Sequence, residues 1–245
     1  MDINADVGEG GQDAALLTLV TSANVAAGFH AGGPSVLRQT IRAARTGGAA
    51  VGAHPGFPDL AGFGRREMKV TPSEAEDFVL YQIAAVAGVA AAEGLKLQHV
   101  KPHGALYNMA AKDPVLAAAI ARATAAFDPA LWLFGPPGSA LLEAGRAAGL
   151  RVVAEGFADR AYEPDGSLVK RDKPGAVIHD TATVVSRAIR MAIERVVTAV
   201  DGSMVRLDVD TLCVHSDTPG AEELAGSLRA GLESAGVAVR AIGTP

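Results

Sequence analysis

The sequence is short of cysteine and of aromatic residues, and each shortage excludes a class of protein. Its single cysteine, Cys213, excludes a fold held together by internal disulfides and is compatible with a reducing cytosol. Aromatic residues make up only 4% of the chain, so a core has to be built mainly from Ala, Val, Leu and Ile. Positive charge is not concentrated either: 22 Lys and Arg are scattered among 27 Asp and Glu, whereas a nucleic-acid surface needs a basic face.

Long hydrophobic runs and targeting signals are also missing. A membrane-spanning helix needs ~20 uninterrupted apolar residues, and the nearest candidate, residues 83–92, is short and is interrupted by Gly88. The first residues, MDINADVGEG, lack the basic segment and apolar run of a signal peptide. We therefore expect a soluble cytoplasmic protein that binds neither membranes nor nucleic acids. No G-x-x-x-x-G-K-[ST] motif occurs, so ATP, if the protein uses it, is not bound by a P-loop.

What the sequence does contain is a regular alternation of short apolar runs and longer helical segments. The runs lie at residues 2–6, 22–29, 49–53, 95–100, 131–134, 151–157 and 211–215. The segments between them have helix start signals, such as the capping box from Thr71 to Glu74, and stop signals, such as Gly94. Strands that alternate with helices and are apolar on both faces predict a parallel sheet covered by helices.

Seven such units fit an α/β fold in which one closed, seven-stranded parallel (β/α) barrel spans residues 1–245. An open, doubly wound sheet is the alternative, because a count of strands does not distinguish the two. Residues 237–242 are a candidate for an additional strand.

Polar and charged residues collect where the predicted strands end. In a barrel, the carboxyl ends of all strands meet at one mouth, where the site is built. The candidate site residues at these ends are Asp6, Glu9, Asn24, His30, His54, Lys101, His103, Glu155, Asp159, Arg160, His215 and Asp217. Four of the six histidines are among them, which favours a function for the set. The alternative is structural, because carboxylates and cations at a barrel mouth can simply pair with one another.

The stretch QHVKPHGALYN, residues 98–108, shows how one strand delivers such groups. Lys101 and His103 follow the strand, Pro102 fixes its exit, and Gly104 lets the backbone approach a ligand. His99, beside the strand, is predicted to be a core or interface residue. Converging Asp and His side chains can hold Zn²⁺ or a harder divalent ion, but no H-x-x-x-H or H-E-x-x-H spacing marks a local pair of metal ligands.

Several stretches resemble the LamB/YcsF family, and together they run through nearly the whole chain. They are DINADVGEG, SANVAAGFHAGGP, GAHPGFPDLAGFGRR, HVKPHGALYN, EGFADRAYEPDGSLVKR and VHSDTPGA. The resemblance implies a (β/α) barrel of the glycoside hydrolase/deacetylase type. It also implies ATP-dependent opening of the lactam of 5-oxoproline (pyroglutamate) to L-glutamate, with release of ADP and phosphate, by a 5-oxoprolinase that includes partner subunits B and C. Mg²⁺ is expected with the ATP. The chain departs from the family at Gly33, where the family usually has aspartate.

The functional residues of the family carry over to the candidate positions of this chain. The predicted catalytic residues are Asp6, His54, Lys101, His103, Arg160 and His215, with the two cations stabilising anions and the others serving as acids or bases. The predicted substrate- or cofactor-binding residues are Glu9, Asn24, His30, Glu155, Asp159 and Asp217. Two other functions stay open, a metal-dependent deacetylase-like hydrolase and a non-catalytic subunit that binds 5-oxoproline. A homo-oligomer is compatible with the sequence.

Overall fold

The structure, a computed structural model, describes residues 1–11, 13–171, 173–215 and 220–244, except for the side chain of His215. The strands in this part of the chain are β1 (Asp2–Val7), β2 (Ser22–Ala26), β3 (Ala50–His54), β4 (Leu97–Val100), β5 (Trp132–Gly135), β6 (Arg151–Gly156), β7 (Val196–Thr198), β8 (Met204–Arg206) and β9 (Thr211–His215). All except β7 and β8 form one closed barrel of parallel strands, in which β9 lies between β6 and β1. The predicted seven-stranded (β/α) barrel is therefore confirmed.

Helices connect the strands and cover the outside of the barrel. They are α1 (Pro34–Gly47), α2 (Pro72–Ala92), α3 (Gly104–Ala110), α4 (Pro114–Phe127), α5 (Ala140–Ala147), α6 (Thr181–Ile193) and α7 (Ala221–Ser234). The predicted capping box is present at the start of α2, where Thr71 and Glu74 exchange hydrogen bonds. Among the described helices, α2 is long and apolar enough to cross a membrane, and its buried residues, such as Val79 and Ile83, pack in the core around the barrel.

Alternation along the strands separates an apolar outer face from a polar interior. In β1, Ile3 and Ala5 pack in the core between the sheet and the helices, whereas Asn4 and Asp6 make hydrogen bonds inside the barrel. Further buried polar residues on the barrel strands are Ser22, Asn24, His99, Glu155 and Thr211. The interior of the barrel thus holds polar groups, and the apolar core lies outside it.

Two strand predictions differ from the structure. β2 ends at Ala26, short of residue 29, because Gly28 takes a positive φ of +93° that turns the chain. The prediction of a strand at residues 237–242 is wrong: the amide of Arg240 donates to the carbonyl of Met1, and the amino group of Met1 donates to the carbonyl of Ala238. β1 already pairs with β2 and β9, so the closed barrel has no free edge at which this segment could form a strand.

A hairpin that the sequence did not predict lies outside the barrel. β7 and β8 pair in the antiparallel direction, with Val197 opposite Val205. Each strand is only three residues long, which is too short for a clear alternation of apolar and polar residues.

Candidate active site

A layer of hydrogen-bonded polar residues lies inside the barrel and supports Asp6. Asn24 Nδ2 donates to Asn4 Oδ1 at 2.7 Å and to Asp6 Oδ1 at 2.8 Å. The Oδ1 atom of Asn24 lies 2.8 Å from His99 Nε2, and because an amide oxygen only accepts, His99 Nε2 carries the proton. Burial, with the nearby charge of Lys101, lowers the pKa of His99 to about 3, so its ring is neutral. His99 is fully buried, as predicted, and it also fixes the amide that orients Asp6.

The ammonium group of Lys101 is enclosed by protein atoms. Its Nζ lies 2.8 Å from Asp6 Oδ1, 2.7 Å from Glu155 Oε1 and 3.1 Å from Cys213 Sγ, and the residue is 3% exposed. Burial acts to lower the pKa of Lys101, but the neighbouring charges, with Asp6 foremost, raise it well above its usual value. Lys101 therefore stays charged and balances two buried carboxylates. We refer to Asp6, Asn24, Lys101 and Glu155 as the interior layer.

Above the interior layer, a glutamate and three histidines meet at the mouth of the barrel. Glu9 follows β1, His30 follows β2, His54 ends β3 and His103 follows β4. Glu9 Oε1 lies 2.8 Å from His30 Nε2, 3.1 Å from His103 Nδ1 and 3.6 Å from His54 Nε2. We refer to these four residues as the mouth cluster. They come from four different strand ends, as the barrel prediction required.

Backbone carbonyl groups determine which nitrogens of two rings carry protons. His54 Nδ1 lies 2.7 Å from the carbonyl oxygen of Lys101, and His103 Nε2 lies 2.8 Å from that of Phe63. Carbonyl oxygens only accept, so both of these nitrogens are protonated. The opposite nitrogens, His54 Nε2 and His103 Nδ1, face each other at 3.0 Å. A cation, either a proton or a metal ion, is needed between two lone pairs at this distance.

The charges around the mouth cluster shift its pKa values in opposite directions. Burial opposes ionisation of Glu9, but its contacts with His103 and His30 outweigh burial and lower the pKa well below its usual value. Burial lowers the pKa of His30 to about 4. Burial also acts against protonation of His54, but the charges of Asp6 and Glu9 outweigh it and raise the pKa. At neutral pH Glu9 is therefore ionised and His30 is neutral, and the carboxylates around His54 favour its protonated form.

The loop between β3 and α2 folds over the mouth cluster. The ring of Phe63 packs edge-on against His30 and His103, with centroids 5.9 and 5.3 Å apart. A Cβ atom on Gly64 would lie 2.7 Å from His30 Cβ and 2.8 Å from His103 Cδ2. Gly104, with φ +53°, lets the carbonyl of Gly64 come within 2.7 Å of the place of its missing Cβ. The group that approaches Gly104 is thus loop backbone, where the sequence analysis expected a ligand.

Comparison with known proteins assigns the chain to a family. The profile of the LamB/YcsF family matches residues 1–245. The chain belongs to this family. The resemblance seen in the sequence motifs is therefore confirmed.

Relatives of this LamB/YcsF chain include proteins with functional names and solved structures. The A subunit of the 5-oxoprolinase of Tolumonas auensis is 52% identical over 248 residues, covering 99% of each chain. A lactam utilization protein from Thermus thermophilus superposes with a TM-score of 0.94 at 50% identity, covering 99% of each chain. The catalytic domain of a peptidoglycan N-acetylglucosamine deacetylase from Eubacterium rectale superposes with a TM-score of 0.52 at 11% identity, covering 100% of this chain and 89% of the other. That last likeness concerns the fold alone and agrees with the predicted deacetylase-type barrel.

Eight of the candidate residues belong to the interior layer or the mouth cluster. Arg160 and Asp159 do not. The guanidinium of Arg160 donates to the backbone carbonyls of Val169 and Ala176, in the loop that follows β6. The carbonyl of Asp159 accepts a hydrogen bond from the amide of Ile178 in the same loop. These contacts hold the loop together, and the predicted role of Arg160 in stabilising an anion stays a prediction.

Two candidates lie outside the described part of the chain, and two neighbours of the site were missed. Asp217 and the side chain of His215 are the candidates that the structure does not describe. The missed residues are Phe63, which covers the cluster, and Tyr107, whose hydroxyl donates to Glu155 Oε2 at 2.7 Å. Tyr107 stands in the family motif HVKPHGALYN, one helical turn beyond the histidine, and that spacing is the signal that could have found it.

Proposed function

We propose that this chain is the A subunit of a cytoplasmic, ATP-dependent 5-oxoprolinase, which acts with subunits B and C to open the lactam of 5-oxoproline to L-glutamate. The observation that carries the proposal is the position of Asp6, which links the charged interior layer to the mouth cluster. The names of the relatives support a lactam as the substrate class.

Asp6 is the group best placed to act as the base for the attacking water. Its Oδ1 atom is held by Asn24 and Lys101, which fixes the orientation of the carboxylate. Its Oδ2 atom faces the mouth cluster, 3.5 Å from His54 Nε2. A base that is oriented on one oxygen and directed at the reaction centre with the other is the arrangement that general base catalysis needs.

The pair formed by His54 and His103 can supply the acid. Opening a lactam produces an amine, so the departing nitrogen needs a proton. A proton held between His54 Nε2 and His103 Nδ1 would lie next to Asp6, where it would also stabilise negative charge that develops on the carbonyl oxygen. His54 and His103 are 1% and 5% exposed beneath the loop with Phe63, and this burial limits access of bulk water.

ATP, with Mg²⁺, would phosphorylate the amide oxygen and so activate the amide carbon for attack by water; when the C–N bond then breaks, the phosphate stays on the carboxyl group and a second water releases it. Neither of the two cations predicted to stabilise anions fits a triphosphate, because the ammonium of Lys101 is enclosed by carboxylates and the guanidinium of Arg160 binds backbone carbonyls. The sequence also has no P-loop. We therefore assign the nucleotide site to one of the partner subunits, and we derive no phosphoryl-transfer step for this chain.

The test is release of L-glutamate and ADP from 5-oxoproline and Mg-ATP by this chain alone, by the cognate B and C subunits alone, and by all three together. We expect coupled release in the complete mixture only. Asp6→Asn should lower kcat of the assembled enzyme by roughly 100-fold or more, whereas His179→Gln, at an exposed position, should leave kcat unchanged. Full turnover of the Asp6→Asn assembly would contradict the site.

A second candidate function, a metal-dependent amide hydrolase, is favoured by the three histidines and one glutamate of the mouth cluster. The same assay separates the two functions. Glutamate release that needs no ATP and is abolished by a chelator would support the hydrolase and contradict the ATP-dependent reaction.

A further inference from the structure

Three hydrogen-bond acceptors converge at the mouth of the barrel. Glu9 Oε1, His54 Nε2 and His103 Nδ1 lie 3.0, 3.1 and 3.6 Å from one another. One proton on His54 Nε2 would bridge it to His103 Nδ1. Glu9 Oε1 and His103 Nδ1, 3.1 Å apart, would then still face each other as two acceptors, which is unfavourable in a buried site. A proton on His103 Nδ1, shared by Glu9 Oε1 and His54 Nε2, or a single divalent ion between all three atoms removes this conflict.

The spacing of the three atoms matches that of ligands around a small divalent ion. Nitrogen and oxygen ligands lie about 2.0–2.2 Å from Zn²⁺, so tetrahedral neighbours are roughly 3.3–3.5 Å apart. The three measured separations bracket this value. One ligand atom from each residue of the mouth cluster lies within 4.8 Å of the others.

The outer nitrogens of two histidines have the partners expected around a metal site. A histidine that binds a metal usually donates its other N–H to a carbonyl or carboxylate, which fixes the ring and directs the remaining lone pair at the ion. His54 does so through the carbonyl of Lys101, and His103 through that of Phe63. Both rings are therefore set in the tautomer and orientation that metal binding requires.

His30 is placed differently. Its ring is stacked on that of His103, with centroids 3.7 Å apart and planes within 7° of parallel. An ion in the plane of one stacked ring lies out of the plane of the other, so the two rings are poor joint ligands for one ion. His30 Nε2 lies 2.8 Å from Glu9 Oε1, and Nδ1 of His30 has no hydrogen-bond partner among the described residues. His30 therefore positions Glu9.

We propose that the mouth cluster binds one divalent transition-metal ion of the zinc class through Glu9 Oε1, His54 Nε2 and His103 Nδ1, with His30 as a positioning residue. Two imidazoles and one carboxylate favour zinc and its neighbours over Mg²⁺ or Ca²⁺, which prefer oxygen ligands. When bound, the ion would take the place of the shared proton, so the His54–His103 pair would then not supply the acid; Asp6 would remain the base and would pass the proton it takes from water to the departing nitrogen. The inference does not rest on the proposed function, because binding is measured without substrate or partner subunits.

The first test uses the untagged wild-type chain, freed of metal by dialysis against a chelator and titrated with Co²⁺, whose visible absorption reports its ligands. We expect one equivalent to bind, with Zn²⁺ displacing the Co²⁺ signal. X-ray absorption of the Zn²⁺-loaded chain should show two imidazole nitrogens at about 2.0–2.1 Å. No stoichiometric binding, or a bound ion with no imidazole ligand, would overturn the proposal, and neither result depends on a variant that folds.

The second test separates ligands from the positioning residue. Glu9→Gln, His54→Gln and His103→Gln should each weaken Co²⁺ binding by more than about 100-fold, and His30→Gln by about 10–100-fold, as second-sphere changes do. His179→Gln is the matched control and should bind as the wild type does. Binding that survives His54→Gln or His103→Gln in a folded chain, or a loss in the His179→Gln chain equal to theirs, would contradict the assignment. Thermal unfolding of each metal-free variant confirms that it is folded.

Discussion

Replacing Lys101 by methionine tests whether the interior layer depends on one buried cation. Methionine keeps most of the length of the side chain but removes the charge that lies 2.8 Å from Asp6 and 2.7 Å from Glu155. The carboxylates of Asp6 and Glu155 are then left without a cation in a buried site, since Lys101 and Glu155 are at most 3% exposed in the wild type. Removing one partner of a buried ion pair costs about 3–5 kcal/mol, so we expect the free energy of unfolding to fall by that amount at pH 7.

The loss should depend on pH in a defined direction. Without the cation, burial and mutual repulsion disfavour the charged forms of the two carboxyl groups in the folded state. A carboxyl group with a raised folded pKa destabilises the protein increasingly as pH rises, so the penalty shrinks as pH falls towards about 5. Urea unfolding followed by circular dichroism, at pH 7 and at pH 5, measures the difference between variant and wild type at each pH.

Two further variants make the result interpretable. Lys112→Met removes an exposed ammonium and should change stability by less than about 0.5 kcal/mol. The double variant Lys101→Met/Glu155→Gln removes one of the two stranded charges and should recover part of the loss. A loss below about 1 kcal/mol for Lys101→Met, equal at both pH values and unaffected by Glu155→Gln, would refute the reasoning that Lys101 neutralises buried carboxylates.

Three other changes have expected outcomes. Gly64→Ala places a Cβ atom 2.7 Å from His30 Cβ and 2.8 Å from His103 Cδ2 at a φ of +62°. Urea unfolding should therefore show that the free energy of unfolding falls by about 1–3 kcal/mol. Unchanged stability would mean that the loop does not pack on the mouth cluster. Gly33→Asp restores the residue that the family usually has at the N-cap of α1, where the backbone is extended and a Cβ atom would meet nothing within 4 Å. It should raise the free energy of unfolding by about 0.5–1 kcal/mol, because aspartate caps a helix and restricts the unfolded chain. A lower Tm would contradict this. Hydrogen bonds from surface arginines lower the pKa of Glu93 to about 2, so the stability that ionised Glu93 contributes is present above its usual pKa and is lost as pH falls towards 2. The difference in free energy of unfolding between wild type and Glu93→Gln should therefore narrow over that range. A constant difference would argue against an ionised Glu93.

The contacts of the mouth cluster could be predicted only in part from the sequence. The strand ends at His30, His54 and His103 could be read from the chain, but the ligands come from separate strands with no fixed spacing between them. The outer ring nitrogens of His54 and His103 donate to the carbonyls of Lys101 and Phe63, which lie 47 and 40 residues away along the chain. Local patterns carry no information on such partners, so the tautomers could not be predicted.

Periodicity and helix signals in the sequence were enough to predict seven parallel strands covered by helices, because strand alternation and capping are local properties of the chain. Closure of the sheet into a barrel depends on the pairing of β9 with β1 and β6, which the tertiary structure decided. The sequence signals also predicted the eight residues of the interior layer and the mouth cluster, since parallel strands bring their carboxyl ends to one side, but they placed Arg160 there as well, which binds the loop after β6. Tertiary structure alone decided what those residues contact there. It enclosed Lys101 between Asp6 and Glu155, turned Arg160 towards backbone carbonyls, and directed two imidazole lone pairs and a glutamate oxygen at one point. Such contacts depend on ring orientation and on backbone from distant segments, and only the folded chain specifies those.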